Sequence, residues 1–185
     1  MGKANILNHF QHYLLDGIQN IIENEWDMEE RLIITDEKNA ISGQFYGYID
    51  ISISNRHENP INNLVAIEIE HISNFDQAKQ NIDKMKTWTN RSKYRRCSVL
   101  HIFNETGIGK DEDLICALIE YGKKLELKNK HSKFFYDFCF FDLKNPENKI
   151  EEHKIAKKCA EDICKSYEFK IRLWQLLIQV GLAVN

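Results

Sequence analysis

The 185-residue sequence has few of the residues that interrupt a chain or that allow it to cross a membrane. It contains only 2 Pro and 8 Gly, so no Pro- or Gly-rich linker divides it, and we expect a single domain over residues 1–185. No apolar run reaches the roughly 18 residues that a membrane-spanning helix needs. Residues 1–5 do not resemble the start of a signal peptide. These absences predict a soluble, cytoplasmic protein with no membrane partner.

Cysteine is also used sparingly and in no regular pattern. The five cysteines are an odd number and form no C-x-x-C pair. Cys97, Cys116 and Cys139 lie inside apolar segments, where cysteine usually behaves as a small hydrophobic residue. This pattern argues against a zinc site or a disulfide framework and agrees with a reducing compartment.

An excess of positive charge is missing as well. The formal net charge is -3, whereas a protein that holds DNA by itself normally has a strong basic excess, because phosphate neutralisation supplies most of the affinity. The densest basic segment is the short run 91–96, which fits either phosphate contacts or a solvated loop. If this chain works on DNA, we expect another component to help hold the DNA.

Hydrophobic periodicity predicts the element order αβββαβαβα. Helical spacing of apolar residues predicts helices over about 6–26, 74–88, 111–127 and 147–184. Runs rich in β-branched and aromatic residues predict strands over 31–35, 44–54, 64–71, 97–103 and 133–143. The first three strands form an antiparallel meander, and the fourth is typical of a strand buried on both faces. The predicted class is α/β, with a central mixed sheet flanked by helices.

Three carboxylates interrupt two of the apolar strands. Asp50 lies between isoleucines in the second predicted strand, and Glu68 and Glu70 alternate with isoleucines in the third. Carboxylates are poor strand formers and are costly to bury without a compensating charge. A single one is usually solvated on an open sheet face, but a pair on consecutive strands favours a shared site. A divalent cation such as Mg²⁺ is the natural partner.

With these residues in place, the chain resembles the PD-(D/E)XK nuclease core. The resemblance covers about residues 6–103 and rests on a helix, the Tyr-Ile-Asp50-Ile strand, the Ile-Glu68-Ile-Glu70 strand, and a following helix and strand. It implies an αβββαβ core, with residues 104–185 as C-terminal additions. It also implies that Asp50 and Glu68 are the metal-binding carboxylates. Ile49 stands where the family often has the motif proline.

One departure from the family pattern affects the chemistry. Glu70 stands where the family usually has a lysine, which orients or activates the attacking water and stabilises negative charge at phosphorus. Glu70 fits a second metal ion or a proton acceptor instead. A cationic group can also migrate to the next helix, where Lys79, Gln80 and Lys84 are the candidates. Gln80 and Lys84 are four residues apart and share a face, although a solvated helix face explains them equally.

A further acidic residue on the first helix is a candidate metal ligand. Many members of the PD-(D/E)XK class complete the metal site with a glutamate on the helix before the sheet. Periodicity places Glu25 at the edge of the buried face of that helix, with Glu23 as the alternative. A surface carboxylate is the competing interpretation for each.

The resemblance implies hydrolysis of DNA phosphodiester bonds with Mg²⁺, for which Mn²⁺ can substitute. In size and layout the chain is similar to the small, strand-cleaving subunits of heterodimeric type IIS restriction endonucleases. That similarity implies double-stranded DNA and a larger DNA-recognition subunit as partners. Two alternatives stay open: a stand-alone homodimeric restriction or repair nuclease, and a catalytically inactive nuclease-like domain that binds DNA or protein.

Overall fold

The architecture is a five-stranded mixed sheet between two layers of helices. The computed structural model describes residues 3–36, 49–57, 62–70, 75–90, 96–104, 112–127, 133–143 and 148–184. The helices are α1 (Lys3–Asn20, continued by a π-helical turn Ile21–Glu25), α2 (Phe75–Asn90), α3 (Glu112–Leu127), α4 (Lys149–Lys165) and α5 (Tyr167–Val180). The strands are β1 (Leu32–Asp36), β2 (Ile51–Asn55), β3 (Asn63–Glu70), β4 (Arg96–Asn104) and β5 (Phe134–Phe141).

The strands lie in the sheet in sequence order, β1-β2-β3-β4-β5. The first three are antiparallel to each other, and β4 and β5 continue the sheet parallel to β3. Residues 97–103 of β4 are all buried, because helices cover both faces of the parallel part of a sheet. The predicted α/β class, the antiparallel meander and the doubly buried fourth strand are confirmed.

The two faces of the sheet pack against different helices. Apolar residues of α1, α4 and α5 cover one face, which includes Ile51, Ile67 and Ile102. Residues of α2 and α3 cover the other face, which includes Ala66 and Val99. Strand alternation assigns each side chain to one of these layers. Glu68 shares a face with Ala66, and His101 shares a face with Val99. Both side chains therefore lie on the side of the sheet that α2 and α3 cover.

The prediction of one continuous helix over 147–184 is wrong, because α4 and α5 are separate helices. Ser166 separates them in an extended conformation, with φ of -65° and ψ of 125°. Its hydroxyl accepts a hydrogen bond from the backbone N–H of Phe169 at 3.4 Å and caps the start of α5. Apolar periodicity runs through both helices and gave no sign of this break. The apolar side chains of α5 lie mainly in the core, and the exposed large hydrophobic residues of this helix are Tyr167 and Ile171.

Among the described residues, the second strand starts at Ile51. Residues 44–48 of the predicted strand lie outside the described residues. Asp50 lies in a bend just before the strand and not within it. No helix of the described residues has both the length and the apolar character needed to cross a membrane.

Candidate metal-binding active site

Asp50 lies at the bend that leads into β2, beside the end of β3. Its Oδ2 atom accepts a hydrogen bond from the backbone N–H of Ile69 at 2.7 Å. Its backbone carbonyl accepts another from Nε2 of Gln11 on α1 at 2.8 Å. The register pairs Ile51 with Ile67, so one further residue along places Asp50 opposite Glu68. The fold thus brings these two carboxylates together.

Glu68 is the most deeply buried acidic side chain of this site. It is 2% exposed, and Nζ of Lys84 on α2 lies 3.1 Å from its Oε1. Burial raises the pKa of Glu68 to about 8, because the loss of hydration outweighs the opposing charge of Lys84, and the carboxylate of Asp50 adds to the rise. Acidic groups with such raised pKa values are concentrated at functional sites.

Glu70 ends β3 and is partly exposed. Alternation along the strand puts it on the same face as Glu68. Its negative charge contributes to the raised pKa of Glu68 and of Tyr136 on β5. Glu70 therefore lies within electrostatic range of Glu68.

His101 and Tyr136 form a buried polar pair beside Glu68. His101 of β4 is in register with Glu68 and is fully buried. Its Nδ1 lies 3.0 Å from the hydroxyl of Tyr136, while its Nε2 makes no hydrogen bond with any residue that the structure describes. Burial and, to a smaller extent, the charge of Lys84 lower the pKa of His101 to about 3, so the imidazole is neutral. The candidate residues predicted from sequence did not include either; a histidine inside an apolar strand was the available signal.

The three candidates on α2 have different surroundings. Lys84 reaches Glu68, as described above, while Gln80 is exposed. Lys79 pairs with Asp83 one turn along the helix, and its Nζ lies 4.6 Å from the centre of the Tyr121 ring on α3. Of these candidates, Lys84 is the one that the structure places against a predicted metal ligand.

Glu25 is not brought to the carboxylate pair. It lies in the π-helical turn after α1, and its Oε2 is 2.6 Å from Nζ of Lys170 on α5. Both helices cover the face of the sheet opposite Glu68. Glu23, the alternative, accepts a hydrogen bond from Gln19 on the same helix, at an exposed position. Of the predicted metal ligands, the structure brings Asp50 and Glu68 together, without the glutamate from α1.

The residues present suit a hard divalent cation. No three His, Cys, Asp or Glu side chains within the described ranges come together as a metal-binding group. Mg²⁺, however, is commonly bound by one or two carboxylates, with water and substrate phosphate oxygens completing its coordination. Asp50 and Glu68 provide such a pair, and the buried Glu68 gains most from a compensating cation. The donor set therefore fits Mg²⁺ or Mn²⁺ better than a softer metal.

A separate surface cleft is lined by a different set of residues. It has a volume of about 600 Å³, lies between β5 and α4, and is lined by residues such as Phe140, Ile155 and Cys159. None of the carboxylates discussed above lines it.

Comparison of the chain with protein-family models, with curated proteins and with solved structures gave no match. The function of this chain must therefore be inferred from the geometry of its own residues.

Proposed function

We propose that this chain is a cytoplasmic, Mg²⁺-dependent endodeoxyribonuclease that hydrolyses DNA phosphodiester bonds. One observation carries the proposal: Asp50, in the bend just before β2, lies opposite Glu68 on β3, and Lys84 reaches Glu68 from the helix that follows. A carboxylate pair can hold a metal ion, and an adjacent ammonium can stabilise the negative charge that develops at phosphorus, so this combination suits phosphodiester hydrolysis. The sequence pattern and the family resemblance predict the same three residues.

The order and direction of the elements support the same proposal. A helix, three antiparallel strands, a second helix and a parallel strand follow each other from α1 to β4. This is the αβββαβ order that the resemblance to PD-(D/E)XK nucleases implies. The carboxylates lie at the start of the second strand and near the end of the third, so the antiparallel turn of the chain brings them together. The fold alone is shared by proteins of other functions, so the carboxylates remain the main support.

The chain's own residues divide the chemistry between them. Asp50 and Glu68 hold the cation, and Glu70 binds a second ion or accepts a proton from the attacking water. Lys84 supplies the positive charge that the family's motif lysine provides elsewhere. A bound Mg²⁺ supplies Lewis-acid stabilisation of the phosphate and lowers the pKa of a coordinated water. In the hydrolysis, the water oxygen bonds to phosphorus and the bond from phosphorus to the leaving 3′ oxygen breaks.

A narrower proposal concerns how the nuclease reaches its DNA. The net charge of -3 provides little of the counterion-release affinity on which DNA binding depends. We therefore propose that this chain is the strand-cleaving small subunit of a heterodimeric type IIS restriction enzyme, with a larger subunit that recognises the site. A stand-alone homodimeric nuclease is the alternative. It predicts tight binding and double-strand cleavage by this chain alone at physiological salt.

Nicking of supercoiled plasmid tests both levels of the proposal. The parent protein, Asp50→Ala and Glu68→Ala are incubated with Mg²⁺ or Mn²⁺, with and without the proteins encoded beside its gene. Glu120→Ala is the matched control, because Glu120 is an exposed acidic residue on α3. We expect cleavage by the parent and by the control, and none by the other two variants. Near-normal cleavage by either of those variants would reject this metal site.

A specific observation also favours a second candidate function, that of an inactive domain that binds DNA or another protein. Lys84 already provides a counter-charge for Glu68 in the absence of metal. A calorimetric titration with Mg²⁺ or Mn²⁺ distinguishes the two functions. An active site takes up the cation at millimolar concentrations or below, whereas an inactive one takes up none at the carboxylate pair.

A further inference from the structure

Position 101 carries a side chain that is costly for the fold. It lies in the middle of β4 between Val99 and Phe103, and all three residues are fully buried. An apolar side chain would pack there without polar atoms to satisfy. The imidazole instead leaves Nε2 without a hydrogen bond to any described residue, and an unmet buried polar atom destabilises a fold. The cost suggests a purpose other than stability.

His101 lies next to Glu68 in the sheet. His101 is the register partner of Glu68 across the β3–β4 pair, and both side chains lie on the face of the sheet that α2 and α3 cover. The Tyr136 hydroxyl, 3.0 Å from Nδ1, fixes the ring. When that hydroxyl donates to Nδ1, the imidazole hydrogen lies on Nε2, which is then a donor.

We propose that His101, held by Tyr136, is a positioning residue that acts through Glu68, by donating the hydrogen bond that orients this carboxylate when it binds a divalent cation. The proposal rests on the metal-binding function proposed above. Metal-bound carboxylates are themselves hydrogen-bonded, and the loss of such an outer partner typically costs ten- to a hundredfold in metal affinity. A purely structural pair would have no such effect.

The test compares metal affinity with stability in the same variants. Mg²⁺ and Mn²⁺ titrations by calorimetry and urea unfolding curves are measured for the parent and for His101→Leu. We expect His101→Leu to bind Mg²⁺ roughly ten- to a hundredfold more weakly. We expect its urea midpoint to change little, because removal of the unmet Nε2 atom offsets the loss of the partner that Nδ1 provides for the Tyr136 hydroxyl. His101→Gln keeps an N–H donor and should recover part of the affinity.

Ser98→Ala is the matched control. Ser98 is also fully buried in β4, and its hydroxyl likewise has no hydrogen-bond partner among the described residues. Because it lies three residues from His101, strand alternation points it to the opposite face. Its replacement should leave the Mg²⁺ affinity unchanged.

Three results would overturn the proposal. Unchanged Mg²⁺ affinity in His101→Leu, with lower stability, would mean that the pair is structural. If His101→Leu does not fold, Tyr136→Phe removes only the hydroxyl that holds the ring, and unchanged affinity in this variant would likewise reject positioning. A parent protein that binds no divalent cation would reject both this proposal and the proposed function. The first two results leave the proposed function standing.

Discussion

Replacement of Glu68 by Gln tests whether burial controls the ionisation of this side chain. The substitution removes the titrating group and nearly preserves the shape. Because the pKa of Glu68 is raised from 4.5 to about 8 in the folded protein, the unfolded chain loses its proton at lower pH than the folded chain. Between these two pH values the folded state binds more protons, so the free energy of unfolding falls as the pH rises. Above about pH 8 the decrease is complete.

The size of the effect follows from the shift. One pKa unit corresponds to about 1.4 kcal/mol. The rise from 4.5 to about 8 therefore gives an upper bound on the order of 5 kcal/mol for the stability lost between acid and mildly alkaline pH. The Gln variant cannot titrate, so it should lack this part of the pH dependence. Relative to the parent, Glu68→Gln should become more stable as the pH increases.

The assay is urea unfolding of metal-free protein, with a chelator present, from about pH 5 to about pH 8.5. Glu120→Gln is the matched control, because Glu120 is 70% exposed in a surface pair with Lys124. Such pairs contribute little to stability, so its pH profile should follow that of the parent. Parallel profiles for Glu68→Gln and the parent would refute the idea that Glu68 ionises late.

In the parent protein, bound Mg²⁺ should reverse the pH dependence of the free energy of unfolding. A carboxylate must be ionised to bind the metal, so binding becomes tighter as the pH rises and releases protons below the pKa of the carboxyl group. At pH 7 we expect close to one proton released for each bound ion, measured by calorimetry in buffers of different ionisation enthalpy. Metal uptake without proton release would show that the ion binds somewhere other than Glu68.

The remaining predictions use substitutions on the helices. Lys84→Met should slow cleavage roughly ten- to a thousandfold, which is the scale of losing one positioned charge, whereas Lys79→Met should leave the rate unchanged. The rates are measured by plasmid nicking. Equal rates for Lys84→Met and the parent would show that Lys84 has no role in the mechanism. Gly122→Ala would place a Cβ atom 2.5 Å from the Tyr136 ring. We therefore expect the free energy of unfolding, measured in urea, to fall by about 1–3 kcal/mol. An unchanged urea midpoint would contradict this close packing. Glu25→Gln should leave Mg²⁺ affinity unchanged because its partner lies on α5, and a weaker affinity would restore it to the metal site.

The strands and the carboxylate pair could be predicted because they depend on local patterns. Runs of isoleucine identify β2 and β3, and the short connection between them makes the strands neighbours. Asp50 and Glu68 then fall opposite each other through simple alternation. The predicted proximity needed no knowledge of the helices, and the register of the sheet agrees with it.

The contributions of the helices could not be predicted, because they depend on how each helix packs. Gln80 and Lys84 share a face of α2, but about 6 Å of helix axis separates them. The burial of Ile82 and Met85 fixes the rotation of α2 on the sheet, and the result is that Lys84 reaches Glu68 while Gln80 stays exposed. The position of Glu25 could not be predicted for a related reason. Periodicity identifies the buried face of a helix, but it does not show which side of the sheet the helix covers.

The two faces of the sheet differ in the kind of group that they bury. The face beneath α1, α4 and α5 contains the larger cluster of apolar side chains, and this arrangement suits stability. The opposite face contains Glu68 and His101 fully or nearly buried, with Lys84 only 11% exposed. Proteins tolerate such costs mainly where function requires them. If the polar cluster serves only the fold, replacing its members together with apolar residues should stabilise the protein and change nothing else; if it serves the proposed metal site, the same replacement should stabilise the protein and abolish Mg²⁺ binding.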